Sequence, residues 1–373
     1  MKVVIAIDSF KGSLSSLQAG NAVKEAVLRL DKGANVVVKP LADGGEGTVE
    51  ALSESANAQV IELTVHGPRL KPITARYCIL KDTNTAVIEM AAAAGITLVS
   101  DYERNPLETT TYGVGEMIED AIYKGCRRFI VGIGGSATND GGTGMLRALG
   151  YEFLDKEGCP ISLGAKGLKD LHTIKADKVL PELKDCSFQI ACDVTNPLCG
   201  ENGCSAVYGP QKGATPEMIR DMDRWLANYA AIVNADKDHP GAGAAGGLGF
   251  AFLAFTNAVL RSGIQIVLEE IALEKDIKSA DVVVTGEGRL DSQTVMGKAP
   301  IGVAKLAKKY GKKVIAFSGC VTDEAEICNE HGIDAFFPVL RGVTTLEEAL
   351  NTENAYKNVK ATAYQVFRLL TER

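Results

Sequence analysis

Acidic and basic side chains recur in this sequence directly after short apolar runs or inside glycine-rich segments. The set comprises Asp8, Lys11, Asp43, Glu46, Asp193, Glu287 and Asp291. Carboxylates beside a lysine suit metal-assisted phosphoryl transfer, because that reaction depends on positioning and on neutralising phosphate charge. In open parallel sheets, ligands bind outside the carboxyl ends of the strands, which is where we expect these residues to lie.

Four glycine-rich segments accompany these residues, and each leads toward a predicted helix. They are residues 42–48, 132–144, 241–249 and 286–294. Glycine lets the backbone approach a ligand closely and adopt positive φ, while a helix N-terminus offers unpaired N–H groups to an anion. The four segments are therefore candidates for holding phosphate groups.

Two of the segments can be compared with the dinucleotide-binding fingerprint, which needs a strand directly before its glycines. Residues 241–246 have the spacing, but the preceding Asp-Lys-Asp-His-Pro at 236–240 cannot form that strand. Residues 132–137 do follow a strand-like run, and Glu152 lies near the offset expected of a ribose contact. Asp140 would oppose a pyrophosphate here, so a nicotinamide-dependent oxidoreductase is kept only as an alternative.

Composition excludes several other classes of protein. The 373 residues carry a formal net charge of −7 without clustered Lys or Arg, so nucleic-acid binding is not expected. Nine Cys without a C-x-x-C spacing indicate small buried side chains in a reducing compartment. The N-terminus has no signal-peptide pattern, and residues 240–260 are too rich in Gly for a membrane span. We expect a cytoplasmic protein that does not bind membranes.

The elements that position the candidate residues alternate at both ends of the chain. Strand-like runs at 3–7 and 35–39 are each followed by a helical pattern, and Ser15 with Gln18 resembles a capping box. The same alternation returns over 281–370.

The middle of the chain has a different pattern. The runs 59–65, 73–80 and 85–90 follow one another with only turns between them, which indicates antiparallel strands. Thr215 before Pro216 marks a helix start, and the apolar residues 248–260 indicate a buried helix.

We therefore predict an α/β fold with two domains. Residues 1–62 and 275–373 would form one discontinuous, Rossmann-like, doubly wound domain. Residues 63–274 would form an inserted α/β domain with a mixed sheet, and the active site would lie in the cleft between the two domains. Phosphoryl transfer competes with hydrolysis, so we expect the domains to close on their substrates.

Seven segments of the chain, in order, resemble the bacterial type-1 glycerate kinase family. They are Asp8-Ser-Phe-Lys-Gly-Ser13, Ala42-Asp-Gly-Gly-Glu-Gly-Thr48, residues 132–142, Cys192-Asp-Val-Thr-Asn-Pro-Leu198, Gly209-Pro-Gln-Lys-Gly-Ala214, residues 241–249 and residues 286–294. One departure is Ile7, where the family usually has Pro, and this alters the turn before Asp8.

The resemblance implies ATP-dependent phosphorylation of D-glycerate, with Mg²⁺ as the companion of ATP. Many family members phosphorylate the 2-hydroxyl and give 2-phosphoglycerate. The motifs do not show which hydroxyl reacts, so 3-phosphoglycerate stays open as the product. The expected partners are D-glycerate and ATP, and a homodimer is left open. A non-catalytic anion sensor is a further alternative, although the number of carboxylates argues against it.

The same resemblance suggests roles for individual residues. Lys11 would contact the transferred phosphate, and Asp193 would act as general base or Mg²⁺ ligand. Asp43 is grouped with these catalytic residues and competes for the metal with Glu287 and Asp291, which are assigned as its ligands. The residues assigned to substrate binding are Asp8, Ser9, Lys212 and Arg289. The residues assigned to nucleotide binding are Gly134, Gly135, Ser136 and Gly213.

Overall fold

The computed structural model of the protein describes residues 1–45, 47–55 and 57–371. Glu46, one of the two acidic residues of the glycine-rich segment 42–48, lies outside the described residues. The strands, in chain order, are β1 (Lys2–Ile5), β2 (Asn35–Val38), β3 (Ala58–His66), β4 (Pro72–Leu80), β5 (Thr85–Glu89), β6 (Arg128–Gly132), β7 (Glu152–Leu154), β8 (Thr173–Lys175), β9 (Ser187–Ala191), β10 (Asn257–Arg261), β11 (Val282–Leu290), β12 (Lys313–Val321) and β13 (Ala335–Pro338).

The α-helices are interspersed among these strands. In chain order they are α1 (Ser16–Leu30), α2 (Thr48–Ser55), α3 (Ala91–Ala94), α4 (Tyr112–Tyr123), α5 (Thr143–Ala148), α6 (Cys204–Tyr208), α7 (Pro216–Val233), α8 (Ala244–Phe255), α9 (Gly263–Glu270), α10 (Leu273–Lys278), α11 (Ala299–Lys308), α12 (Ile327–Glu330), α13 (Leu346–Leu350) and α14 (Thr352–Thr371). The predicted α/β class is confirmed.

The chain forms two compact units. The first contains the described parts of Met1–Asp43, Glu50–Ala56 and Ile264–Arg373, and the second contains those of Gly44–Val49 and Asn57–Gly263. The domain boundaries expected after residues 62 and 274 stay predictions, because compact packing alone does not show which pieces fold independently.

The sheet of the first unit is parallel, with the strand order β13-β12-β11-β1-β2. The chain runs from β1 through α1 to β2 on one side, and later from β11 through α11 to β12 on the other. The direction in which strands are added therefore reverses between β1 and β11. In doubly wound sheets the ligand crevice lies at this reversal, outside the carboxyl ends of the strands.

Apolar side chains fix the helices of the first unit to its sheet. Val3 and Ile5 belong to a buried cluster that also contains Val23 of α1 and Val359 of α14. Val4 is equally buried but lies outside this cluster, because successive strand residues face opposite sides of a sheet. The predicted capping box at the start of α1 is confirmed, with both of its hydrogen bonds present.

The sheet of the second unit is mixed, with the order β10-β9-β6-β5-β4-β3. β3, β4 and β5 are antiparallel neighbours, which confirms the interpretation of the three consecutive runs. β5, β6, β9 and β10 are parallel. The carboxyl ends of these four parallel strands therefore share one edge of the sheet.

The predicted buried helix at 248–260 is only partly correct. Helix α8 ends at Phe255, and Thr256 closes it by donating from Oγ1 to the carbonyl of Phe252 at 2.7 Å. The rest of the segment pairs with β9 as the strand β10, whose tertiary partner the local pattern did not reveal. Nowhere in the described ranges is a helix both long and apolar enough to cross a membrane.

The glycines of the last glycine-rich segment predict a loop. The structure shows instead that this segment begins inside a strand. β11 continues to Leu290 and pairs with β12 along this stretch. A Cβ on Gly286 would lie 2.0 Å from the carbonyl oxygen of Phe317, so glycine is needed here for the close approach of two strands.

Candidate active site

A group of charged residues in the first unit lies where β1 ends, beside the middle of β11. The N–H of Asp8 donates to the carbonyl oxygen of Gly286 at 2.9 Å, so the chain beyond β1 still runs beside β11. The side chain of Asp8 is buried, and its Oδ1 accepts a hydrogen bond from the N–H of Ser9 at 2.6 Å. Asp8 therefore has a fixed position at the sheet edge where ligands are expected.

The surroundings of Asp8 make it an unusual carboxylic acid. Burial, followed by the negative charges of Asp43 and Glu287, raises its pKa to about 7 against the opposing effects of the Ser9 N–H and Lys11. A carboxyl group with this pKa can gain or lose a proton near neutral pH, which is what a general acid or base requires.

Glu287 and Asp291 lie around one ammonium group. Lys298 Nζ is 3.6 Å from Glu287 Oε2 and 3.7 Å from Asp291 Oδ1. Thr294 Oγ1 also donates to Glu287 Oε1 at 2.8 Å. Burial raises the pKa of Glu287, while Lys298 and Thr294 oppose that rise. These two carboxylates, both assigned to a metal by sequence, thus already face a common cation.

Two residues assigned to the first unit, Lys11 and Arg289, lie close to this acidic group. Lys11 is exposed in the turn that follows Asp8, and a Cβ on Gly288 of β11 would lie 3.4 Å from the Lys11 backbone nitrogen. Arg289 is largely exposed and pairs with Asp291 through its Nε at 3.2 Å. Lys11 and Arg289 are therefore cations with accessible head groups beside the acidic residues.

Asp193 lies in the second unit, just beyond the end of β9. It is exposed, and its Oδ1 accepts a hydrogen bond from the N–H of Gly263 at 3.2 Å. A Cβ on Gly44 would lie 2.5 Å from the Gly263 Cα and 2.7 Å from the Ala191 Cβ. Gly44 therefore packs closely against the ends of β9 and β10.

Lys212 is also in the second unit, and it is almost completely buried. Its Nζ donates to Ser136 Oγ at 2.8 Å and to the carbonyl oxygen of Thr138 at 2.6 Å. Burial lowers the pKa of Lys212 to about 8, against the opposing effects of Cys204 and Asp140. Lys212 thus directly contacts the glycine-rich segment that follows β6.

Asp140, within that segment, has a structural role. It is fully buried, and its carboxylate accepts hydrogen bonds from Thr110, from Thr111 and from the N–H groups of Gly142 and Gly144. Burial raises the pKa of Asp140, and these hydrogen bonds, which favour the charged carboxylate, oppose that rise only in part. Asp140 therefore holds the start of α5 in place.

The oxidoreductase alternative loses its ribose contact as well. Glu152 lies on β7, which pairs with β8 in a separate two-stranded sheet. Its carboxylate forms an ion pair with Lys178 at 2.8 Å. Glu152 therefore does not lie at the end of a strand of the six-stranded sheet, where an acid that binds the ribose of a dinucleotide would be expected.

Gly213 is the remaining residue assigned to nucleotide binding. Its N–H donates to the carbonyl oxygen of Pro210 at 3.0 Å, and a Cβ on it would lie 2.4 Å from the Arg104 carbonyl oxygen. Its backbone donor is thus already used within the protein, and its role in nucleotide binding stays a prediction.

Sequence reasoning missed Lys298 and Thr294. A signal for Lys298 was available, because it directly precedes the helix α11, where a positive charge opposes the helix dipole. Thr294 gave no comparable signal, since its contact with Glu287 depends on the turn between β11 and α11. Over the ranges the structure describes, no three His, Cys, Asp or Glu side chains come together closely enough to hold one metal ion.

Comparisons with known proteins agree on one family. A family model described as the glycerate kinase family matches residues 3–371. The glycerate 2-kinase of Escherichia coli (strain K12) is 47% identical over 96% of this chain and 95% of its own. The glycerate kinase of Haemophilus influenzae is 46% identical over 99% of both chains. A crystal structure from Salmonella typhimurium LT2 described as a glycerate kinase 2 has a TM-score of 0.91 at 47% identity, covering 99% of this chain and 98% of that chain.

Proposed function

The chain belongs to the glycerate kinase family, and from this premise we propose that it transfers the γ-phosphoryl group of ATP to the 2-hydroxyl of D-glycerate. The products are 2-phosphoglycerate and ADP. The observation that carries the proposal is the group of Asp8, Lys11 and Glu287 at the reversal of strand order, where a phosphate-bearing ligand is expected. The similarity to a glycerate 2-kinase favours the 2-hydroxyl, and 3-phosphoglycerate is the alternative product.

Asp8 is our candidate for the general base. Its Oδ1 is engaged by the Ser9 N–H, which leaves Oδ2 to accept the proton of the glycerate hydroxyl. As that proton moves to Asp8, the hydroxyl oxygen forms a bond to the γ-phosphorus. The bond from this phosphorus to the bridging oxygen of the β-phosphate breaks, and ADP leaves with the electron pair. Asp193, which sequence favoured as base or metal ligand, is the second candidate.

Two accessible cations of the first unit, Lys11 and Arg289, complement this step. Lys11 follows Asp8 in the same turn, and its ammonium is exposed, so we assign it to the phosphate that is transferred. Arg289 presents a guanidinium, whose fork of donors matches a carboxylate, and we assign it to the carboxylate of glycerate. Ser9 is retained as a substrate contact next to Asp8.

The acidic residues of β11 and its following turn fit a magnesium ion. Glu287 and Asp291 both lie within 4 Å of the ammonium of Lys298, so their carboxylates already pair with one cation. Mg²⁺ bound with ATP is usually held by one or two carboxylates together with phosphate oxygens and water. Glu287 and Asp291 would hold it, with Asp43 adding negative charge nearby, and the ion would neutralise the phosphate oxygens. Because ATP is a cytoplasmic substrate, we place the reaction in the cytoplasm.

A coupled assay tests this proposal. The protein is incubated with ATP, Mg²⁺ and D-glycerate, and product is followed through enolase alone or through phosphoglycerate mutase with enolase. Signal with enolase alone establishes 2-phosphoglycerate. Signal that appears only after the mutase is added establishes 3-phosphoglycerate. Absence of ADP release that depends on D-glycerate would refute the proposed activity.

A further inference from the structure

The ammonium of Lys212 is a buried positive charge without a contacting carboxylate. Lys212 is 2% exposed, and its two acceptors are the hydroxyl of Ser136 and the carbonyl oxygen of Thr138. Within the described part of the chain its third N–H has no acceptor, and no Asp or Glu oxygen lies within ion-pair distance of Nζ. Burial of a charge without such a partner is costly, so proteins seldom retain one without a ligand or counter-ion.

The segment that Lys212 contacts presents further donors. In residues 1–45, 47–55 and 57–371 there is no hydrogen-bond acceptor for the backbone N–H groups of Gly134, Gly135 and Ser136. Gly135 has φ of +71°, the left-handed conformation that helps successive N–H groups to face one ligand. Gly134 and Gly135 are exposed, so this stretch of backbone is accessible from solvent.

The hydrogen bond between Lys212 and Ser136 also orients the serine hydroxyl. Ser136 Oγ accepts from the ammonium, so the hydroxyl proton is available to donate to a third group. The segment itself is held by two backbone hydrogen bonds on either side of Ser136, from Ile96 N to Gly135 O at 2.8 Å and from Ala137 N to Ala94 O at 2.9 Å. Its donors are therefore positioned before any ligand binds.

On the basis of the proposed kinase function, we propose that these donors form one binding site for the anionic oxygens of a substrate. The site, which we name the Lys212 anion site, consists of the Lys212 ammonium, the Ser136 hydroxyl and the N–H groups of Gly134, Gly135 and Ser136. Sequence assigned Lys212 to glycerate and Ser136 to the nucleotide. Their 2.8 Å hydrogen bond joins them, so they serve the same ligand.

Two sources supply anionic oxygens of this kind, the phosphates of ATP and the carboxylate of D-glycerate. The chemistry of the site is the same for both, since ammonium, hydroxyl and backbone N–H donors bind either group. A purely structural function for Lys212 is the competing explanation. In that case its two hydrogen bonds would only brace the segment, and ligand affinity would not depend on it once the protein is folded.

Calorimetric titrations of the full chain with ATP and, separately, with D-glycerate distinguish these explanations. Lys212→Met is expected to weaken the affinity for one of the two ligands by about 10- to 100-fold, the cost of a charged hydrogen bond. Ser136→Ala is expected to weaken the affinity for that same ligand by about 3- to 10-fold. The control is Lys184→Met, which removes an exposed lysine of the same unit and should leave both affinities unchanged.

The ligand whose affinity falls identifies the source of the anionic oxygens. Unchanged affinities of folded Lys212→Met for both ligands would overturn the proposal. Circular dichroism establishes whether Lys212→Met folds. If it does not fold, unchanged affinities of Ser136→Ala for both ligands would overturn the proposal instead. Failure of the wild-type protein to phosphorylate D-glycerate would refute the proposed activity, whereas the binding comparison judges the Lys212 anion site independently.

Discussion

The backbone of Asp8 is joined to that of Gly286 by a hydrogen bond of 2.9 Å, which fixes the first acidic residue of the chain beside the last glycine-rich segment. The residue after Gly286 is Glu287, whose charge contributes to the raised pKa of Asp8. Two distant parts of the sequence thereby form one acidic group where β1 ends beside β11. The chemistry that we assign to the first unit depends on this pairing.

Replacement of Asp8 by Asn is expected to lower kcat by about 10²- to 10⁴-fold, the usual contribution of a general base. Asparagine keeps the size of the side chain but cannot accept the hydroxyl proton. Steady-state assays with ATP and D-glycerate measure the change, and Asp177→Asn, at an exposed position, is the matched control. A kcat near the wild-type value would remove Asp8 as the base.

The same substitution should change how stability depends on pH. Because the folded-state pKa of Asp8 is about 7, above the value of 3.8 for a free side chain, Asp8 favours folding at low pH. That contribution is lost as pH rises through 7. Between pH 4 and pH 8, the free energy of unfolding of the wild-type protein should therefore fall by up to about 4 kcal/mol relative to that of Asp8→Asn. Urea unfolding at pH 4 and pH 8 measures the free energy of unfolding of both proteins. A difference between wild type and Asp8→Asn that is the same at both pH values would contradict the prediction.

Asp193 offers a test of which carboxylate acts as base. Its exposed position and its hydrogen bond from Gly263 N suit a residue that orients a ligand more than one that removes its proton. Asp193→Asn is expected to lower kcat by about tenfold or more while leaving the inflection of kcat near pH 7 in place. Disappearance of that inflection in Asp193→Asn, with the inflection retained in Asp8→Asn, would assign the base to Asp193.

Local sequence signals were sufficient for much of the fold. Ser15 with Gln18 predicts the start of α1, and Thr215 before Pro216 predicts the start of α7, because capping involves residues close together in sequence. Strand β10 escaped prediction, since an edge strand that contains Val259 depends on its pairing with β9.

The candidate site shows the same limit at the level of side chains. The acids after β1 and in β11 were found because residues after parallel strands share one edge of a sheet. The burial of Asp8 and of Lys212 could not be deduced from sequence, because it depends on segments far away along the chain. The structural role of Asp140 could not be deduced for the same reason, since its partners Thr110 and Thr111 precede a separate helix, α4.

Lys298 tests the assignment of the metal ligands. Its ammonium lies within 4 Å of both Glu287 and Asp291, so it competes with any other cation for these carboxylates. Lys298→Met is expected to increase the affinity of the protein for Mg²⁺, without nucleotide, by about 3- to 10-fold, since one nearby positive charge is removed. Calorimetric titration with MgCl₂ measures the affinity, and Lys305→Met on the exposed side of α11 is the control. An unchanged affinity would argue against Glu287 and Asp291 as the metal-binding pair.

Binding at the Lys212 anion site should weaken at alkaline pH. The pKa of Lys212 is about 8 in the free protein, so its ammonium loses its proton as pH rises above that value. Asp140 and Cys204 oppose this loss, but burial outweighs them, and the pKa of the Cys204 thiol is itself raised to about 11. The affinity for the ligand identified by titration should therefore fall between pH 7 and pH 9.5 in the wild-type protein.

The stability of the free protein should change in the opposite direction over that range. The unfolded chain holds the Lys212 proton up to about pH 10.5, whereas the folded chain releases it near pH 8, so this residue makes folding more favourable as pH rises between these values. Lys212→Met has no ammonium at this position, so its ligand affinity and its urea midpoint should lack the change with pH that Lys212 causes in the wild-type protein. Measurements of both quantities on both proteins at pH 7 and pH 9.5 test this prediction. A wild-type affinity that falls no more steeply than that of Lys212→Met would mean that the ammonium does not contact the ligand.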